Sequence, residues 1–299
     1  MNPTAPKLTV RVGCHLVYEA STCVPIFLVL KPRRDERQRV RQEKFSVTPG
    51  PVFPEFKDLN GNITQRAMLQ PGQTVVHHDA LVSVTAEPDR YPSQGFAVPV
   101  EQLPEDILRF TLPSRYCDTD KLLNFAWQQF GPLNYGLDRV REICDWTHYQ
   151  IEYRFGGGRS DISASEVVNQ RFGVCRDFAH VAIALCRAFS IPARYVTGHL
   201  PDIGRVDPGS AMDFHAYFEA YLGNAWHTFD ARFNTPRIGR IKLAQGLDAV
   251  DGAFSTIYGA AQSVWFEVWA YQVDGKKASL EDPINLSQRL DGTPQVRLR

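Results

Sequence analysis

At 299 residues and 33.8 kDa, the chain has room for about two domains of ordinary size. Its hydrophobic fraction of 43% and charged fraction of 22% are those of a globular protein, which excludes a mainly disordered, collagenous or coiled-coil chain. The 33 basic and 33 acidic residues cancel, so no global field draws the chain to nucleic acid or to an anionic membrane.

The longest clearly apolar run, residues 24–30, falls well short of the roughly twenty residues a membrane helix needs. Residues 1–8 are polar and lack the basic stretch and apolar block of an export signal, so a cytoplasmic location is expected. Six cysteines (Cys14, Cys23, Cys117, Cys144, Cys175 and Cys186) include no C-x-x-C pair and are too sparse for a disulfide scaffold. They are expected to be free thiols, mostly packed as small apolar side chains.

Residues 8–100 read as β structure. Leu8, Val10 and Val12 alternate with Thr9 and Arg11, the pattern of a half-buried strand, and residues 26–30 suit a short buried one. Asn60-Gly61, between residues 52–56 and 63–69, suits a tight hairpin turn. Residues 75–77 and 80–85 are further short strands. Together they predict an all-β, sandwich-like domain over residues 1–105. The run 31–44 holds seven basic and three acidic residues without interleaved aromatics, and reads as a solvated loop between strands rather than a nucleic-acid surface. His77 and His78 point to opposite faces of a strand and cannot easily share a metal ion.

A Pro-punctuated linker over residues 106–117 leads to a core expected over 118–275. Asp118 or Thr119 can cap a helix carrying Leu122, Leu123, Ala126 and Trp127. Residues 135–153 hold a second helical pattern with Val140, Ile143, Cys144, Trp146 and Thr147. Gly156, Gly157 and Gly158 read as a flexible connector, since no Gly-Lys-Ser/Thr follows to form a phosphate loop. A short helix near 165–172, a longer one from Cys175, and strands at 194–198, 213–222 and 225–229 come next. A polar, loosely structured tail at 276–299 closes the chain.

One constellation carries chemistry. Cys175 falls in the first turn of a helix whose apolar stripe is Phe178, Val181, Ala182, Leu185 and Phe189. Unpaired N–H groups there favour a thiolate and could stabilise an oxyanion, so a lowered thiol pKa is expected. Cys186 lies about 16 Å further along the same helix and reads as inert packing. A thiolate nucleophile needs a base, and the base an orienting group. If Gly223-Asn224 is a two-residue turn, Leu222 faces Ala225, Tyr217 faces Asp230 and His215 faces Arg232. Asp230 is then the diagonal neighbour of His215 on one sheet face, within reach of a carboxylate–imidazole hydrogen bond. On this register His227 points to the opposite face. His180 is turned about 140° from Cys175 around the helix, and His199 ends a strand where it could line a pocket.

The blocks Gly173-Val-Cys-Arg-Asp-Phe-Ala-His180, Ile191-Pro-Ala-Arg-Tyr-Val196, Asp213-Phe-His215-Ala216 and Trp226-x-x-Phe-Asp230 resemble the bacterial transglutaminase-like superfamily, in its cysteine-peptidase-related branch. The resemblance implies an α+β, papain-like core with the nucleophile helix packed on an antiparallel sheet, preceded by the β domain. It implies Cys175 as nucleophile, His215 as general base and acid, and Asp230 as orienter. Tyr217 stands where Trp is common, and His227-Thr228 where Val and Asp are frequent; neither change removes a catalytic group. The expected reaction is acyl transfer at an amide carbonyl of a peptide or protein, most simply hydrolysis. Glutamine crosslinking and a non-catalytic scaffold are the alternatives. No metal or organic cofactor is expected, and no acidic loop suits calcium. No nucleic-acid or membrane partner is expected.

Overall fold

The computed structural model describes residues 7–91, 95–205 and 212–286. Six strands open the chain: β1 (Lys7–Ala20), β2 (Val24–Leu28), β3 (Gln38–Thr48), β4 (Phe56–Lys57), β5 (Ile63–Leu69) and β6 (Gly72–Thr85). Next come α1 (Glu105–Leu108), α2 (Thr119–Phe130), α3 (Leu137–Gln150), β7 (Glu152–Tyr153), α4 (Ala164–Gln170), β8 (Phe172–Gly173) and α5 (Cys175–Arg187). Finally β9 (Ala193–His199), β10 (His215–Leu222), β11 (Ala225–Phe229), β12 (Ile241–Gly246), α6 (Ala249–Gly252), β13 (Ser255–Ile257) and β14 (Ala261–Val273) complete an α+β fold.

Two four-stranded sheets, in the orders β14-β1-β6-β3 and β13-β2-β5-β4, form a sandwich. Leu16, Tyr18, Ile26, Leu28, Leu69 and Val76 are buried between them. The sandwich is completed by β13 and β14, from the far end of the chain, which pair antiparallel with β2 and β1 respectively. The expected core boundary at residue 275 therefore misplaces residues 255–273. These strands answer the apolar edges of β1 and β2, a long-range pairing that no local pattern announces. Phe214 and Leu243 of the core enter the same apolar cluster, so the two parts share one packed interface.

Other differences are local. The basic run 31–44 is not all loop: from Gln38 it forms β3, an outer strand of its sheet, paired with β6 along its length. Its exposed charges suit an edge strand, where they discourage pairing with other chains. The Asn60-Gly61 hairpin has a five-residue turn, since Lys57 pairs with Ile63, and Gly61 takes the positive φ of 71°. The tail folds back as far as it is described: the buried Arg11 guanidinium donates to the Asp282 carbonyl at 2.8 Å as well as to Asp79. Residues 287–299 of the expected tail lie outside the described residues.

The second unit is built on α5, which is buried on every side from Asp177 to Arg187. The expected stripe of Phe178, Val181, Ala182 and Leu185 is present. The opposite face is covered too, because α2, α3 and α4 pack on one side of α5 while β9 and β10 pack on the other. The sheet on which α5 rests is antiparallel, in the order β11-β10-β9-β12. Gly223 and Asn224 both have positive φ, 56° and 65°, and Leu222 pairs with Ala225, as the two-residue turn requires.

Candidate active site

That turn sets the register that assembles the site. With Phe218 opposite Phe229, the residue after β11, Asp230, comes level with the start of β10. His215 Nε2 lies 2.8 Å from Asp230 Oδ2, and both side chains are buried. Asp230 is fixed in turn by the Phe233 N–H, which donates to Oδ1 at 3.2 Å, while the Asn234 N–H donates to the Asp230 carbonyl at 2.7 Å. Nε2 thus carries the proton that Asp230 accepts, which leaves Nδ1 to exchange a proton elsewhere.

Cys175 is half-buried at the first position of α5. Its thiol donates to the carbonyl of Phe214, the residue before His215, at 3.9 Å. Cys175 and His215 line one cleft of about 90 Å³, together with Tyr153, Asp213, Arg232 and Phe233. The three expected residues therefore converge: sulfur and imidazole share a cavity, and imidazole and carboxylate share a hydrogen bond.

The electrostatics differ from expectation in one respect. Burial, and then the Asp213 carboxylate, push the Cys175 thiol up to about 12 instead of lowering it. The helix start does not reverse this, because Asp177 already brings a carboxylate to the same turn, accepting from the Val174 N–H at 2.9 Å. Burial also holds His215 below its ordinary value, against the pull of Asp230. These shifts favour a thiol and a neutral imidazole as the resting forms at neutral pH.

Sequence reasoning missed Arg240. Its guanidinium donates through Nη2 to Asp230 Oδ2 at 2.8 Å, the same oxygen that faces His215, and through Nε to Asp89 Oδ2 at 2.8 Å. It also lies over the Tyr217 ring at 4.5 Å. His215 and Arg240 together hold Asp230 far below the usual carboxylate range, so it stays ionised. Asp89 follows β6, so the β-sandwich end of the chain reaches the back of the site. Only the position of Tyr217, on the face of Asp230, hinted at a partner there.

The other candidates are accounted for. Cys186 is fully buried and its thiol is raised further by burial, as inert packing requires. His180 accepts from the Ala249 N–H at 3.1 Å and stacks on Tyr116, away from the thiol. His227 bonds the Leu222 carbonyl on the other face. His199 is buried against Phe214, with ring centroids 5.1 Å apart. The described cysteines are all free. His78 bonds Glu43 at 3.1 Å and Asp79 pairs with Arg11. Among the described residues no group of three or more His, Cys, Asp or Glu could hold a metal ion, and no helix is long and apolar enough to cross a membrane.

The model of the transglutaminase-like superfamily matches residues 125–231, a span that includes Cys175, His215 and Asp230. A solved structure from Cytophaga hutchinsonii, described as a candidate cysteine protease, is 34% identical with a TM-score of 0.82 and covers 90% of this chain and 92% of that one. An uncharacterised protein of Mycobacterium tuberculosis is 30% identical over 182 residues, which is 57% of this chain and 58% of that protein's length. One of Mycobacterium leprae is 31% identical over 211 residues, covering 66% of this chain and 73% of that protein. The chain belongs to the transglutaminase-like superfamily.

Proposed function

We propose that this chain is a cysteine-dependent acyltransferase that hydrolyses a peptide or related amide, with Cys175 as nucleophile, His215 as general base and acid, and Asp230 as orienter. The observation that carries the reading is the 2.8 Å bond between His215 and Asp230 beside a cleft that His215 shares with Cys175. As Cys175 Sγ attacks the amide carbonyl, its proton passes to His215 Nδ1. The Cys175 N–H is one of the donors a helix start leaves without an intrahelical acceptor, and it faces the developing oxyanion. The imidazolium, held by ionised Asp230, gives its proton to the leaving amine, and a thioester remains. Water then gives a proton to His215 and attacks the thioester, which releases the carboxylic acid and restores the thiol. No step calls for a cofactor.

A peptide library, incubated in ¹⁸O-labelled water with and without an added primary amine, tests the reading by mass spectrometry. One ¹⁸O in the new carboxyl group, lost with Cys175→Ala, is expected. Amine incorporation in its place would make the chain a transamidase. No Cys175-dependent product from any peptide would favour a non-catalytic scaffold.

A further inference from the structure

Three charged side chains in the cleft take no part in the chemistry above: Arg232, Asp213 and Asp202, the last already paired with Arg237. Arg232 sits in the turn that fixes Asp230, and its carbonyl lies 3.1 Å from His148 Nδ1, so its backbone is anchored. Its guanidinium lies over the Tyr153 ring at 3.7 Å and over Phe233 at 5.0 Å. Tyr153, Phe233 and Arg232 all line the cavity that holds Cys175. Among the described residues no carboxylate lies within 4.0 Å of this guanidinium, although most arginines near the site are paired: Arg176 with Asp177, Arg237 with Asp202, and Arg240 with Asp89 and Asp230.

A guanidinium over a ring uses its face there; one edge donor of Arg232 is turned to the Tyr153 side chain, and the remaining N–H groups can meet a ligand. A guanidinium edge matches a carboxylate in two parallel hydrogen bonds. Resting on the proposal that Cys175 is an acyl-transfer nucleophile, we infer that Arg232 is a substrate-binding residue that reads a free carboxylate on the acyl substrate. The cavity is small, so this carboxylate belongs to the residue bearing the scissile amide or to its immediate neighbour. Among the described residues, the titratable groups that line the cavity with Arg232, besides Cys175 and Tyr153, are Asp213, Asp202, already paired with Arg237, and the neutral imidazole of His215. Asp213 opposes an anion and gives the cleft a positive and a negative side, which suits a substrate with an ammonium or amide donor opposite its carboxylate.

The two alkylating agents iodoacetate and iodoacetamide differ in little but a carboxylate, and test the inference without a known substrate. Their rates at Cys175 are read by peptide mass spectrometry, with exposed Cys23 in the same molecule as the reference thiol. The iodoacetate-to-iodoacetamide ratio at Cys175 should fall on the order of tenfold in Arg232→Gln, the scale set by a hydrogen bond to a charged group. It should fall in part in Arg232→Lys, which keeps the charge and loses the fork, and rise in Asp213→Asn. The ratio at Cys23 should not move in any variant. An unchanged ratio in Arg232→Gln, or full retention in Arg232→Lys, would overturn the carboxylate site while leaving the catalytic reading intact. A wild-type Cys175 no more reactive toward iodoacetamide than Cys23 would overturn both.

Discussion

Replacing Arg240 by Met should raise the pKa of His215. Arg240 and His215 each bond Asp230 Oδ2 at 2.8 Å. Their nitrogens are therefore no more than about 5.6 Å apart, where two like charges repel by about 3 kcal/mol at an effective dielectric of about 20. That is on the order of two pH units at His215. The sign follows: with Arg240 gone, Asp230 serves His215 alone and the imidazolium is easier to form. Since Arg240→Met strands the carboxylate of Asp89 as well, the variant is best made with Asp89→Asn, and Arg240→Lys serves as the charge-retaining control. The ring of His215 is followed by NMR against pH, and the acid limb of Cys175 alkylation is measured in parallel. A protonated His215 cannot take the thiol proton, so that limb tracks its titration. Both should move to higher pH in the double variant and stay near wild type in Arg240→Lys. A limb that stays in place, or moves to lower pH, would refute the assignment of Arg240 as a charge that adds to burial in holding His215 neutral.

Two further outcomes follow from buried groups. His199 is buried, neither of its ring nitrogens has a partner, and burial depresses its pKa to about 3. Its folded pKa lies below the unfolded one of about 6.5, so its share of the stability is intact above pH 6.5 and is lost as pH falls toward 3. About 2 kcal/mol should go between pH 6.5 and 4.5, and His199→Phe should flatten that slope in denaturant titrations. At Gly13 an added Cβ would overlap the His78 carbonyl and the Trp269 ring. Gly13→Ala should therefore cost about 2 kcal/mol or more in denaturant midpoint while leaving the Cys175 peptide's reactivity per folded molecule unchanged.

The parts of the site that were legible in the sequence are those governed by short-range rules. Gly223 and Asn224 can both take positive φ, so the β10–β11 register, and with it the meeting of His215 and Asp230, follows from a turn two residues long. The placement of Cys175 follows from a glycine before an apolar helical stripe. Arg240 and Asp89 were not legible, because an arginine ten residues after Asp230 and an aspartate beyond β6 carry no local signature; the interface between sandwich and core brings them together. The return of β13 and β14 to the sandwich is a pairing of the same long-range kind. The thiol's raised pKa was missed for another reason: its helix position was readable, but the desolvation that outweighs that position depends on how tightly Phe214 and its neighbours close over the sulfur.

The most direct test of the account is the rate of iodoacetamide alkylation at Cys175 relative to Cys23 at neutral pH, compared among wild type, His215→Ala and Asp230→Asn. If a sulfur, an imidazole and a carboxylate act as one unit, the wild-type ratio is high, His215→Ala lowers it by on the order of 100-fold, and Asp230→Asn lowers it by a smaller factor in the same direction. A ratio that neither substitution changes, in variants that melt as wild type does, would contradict it.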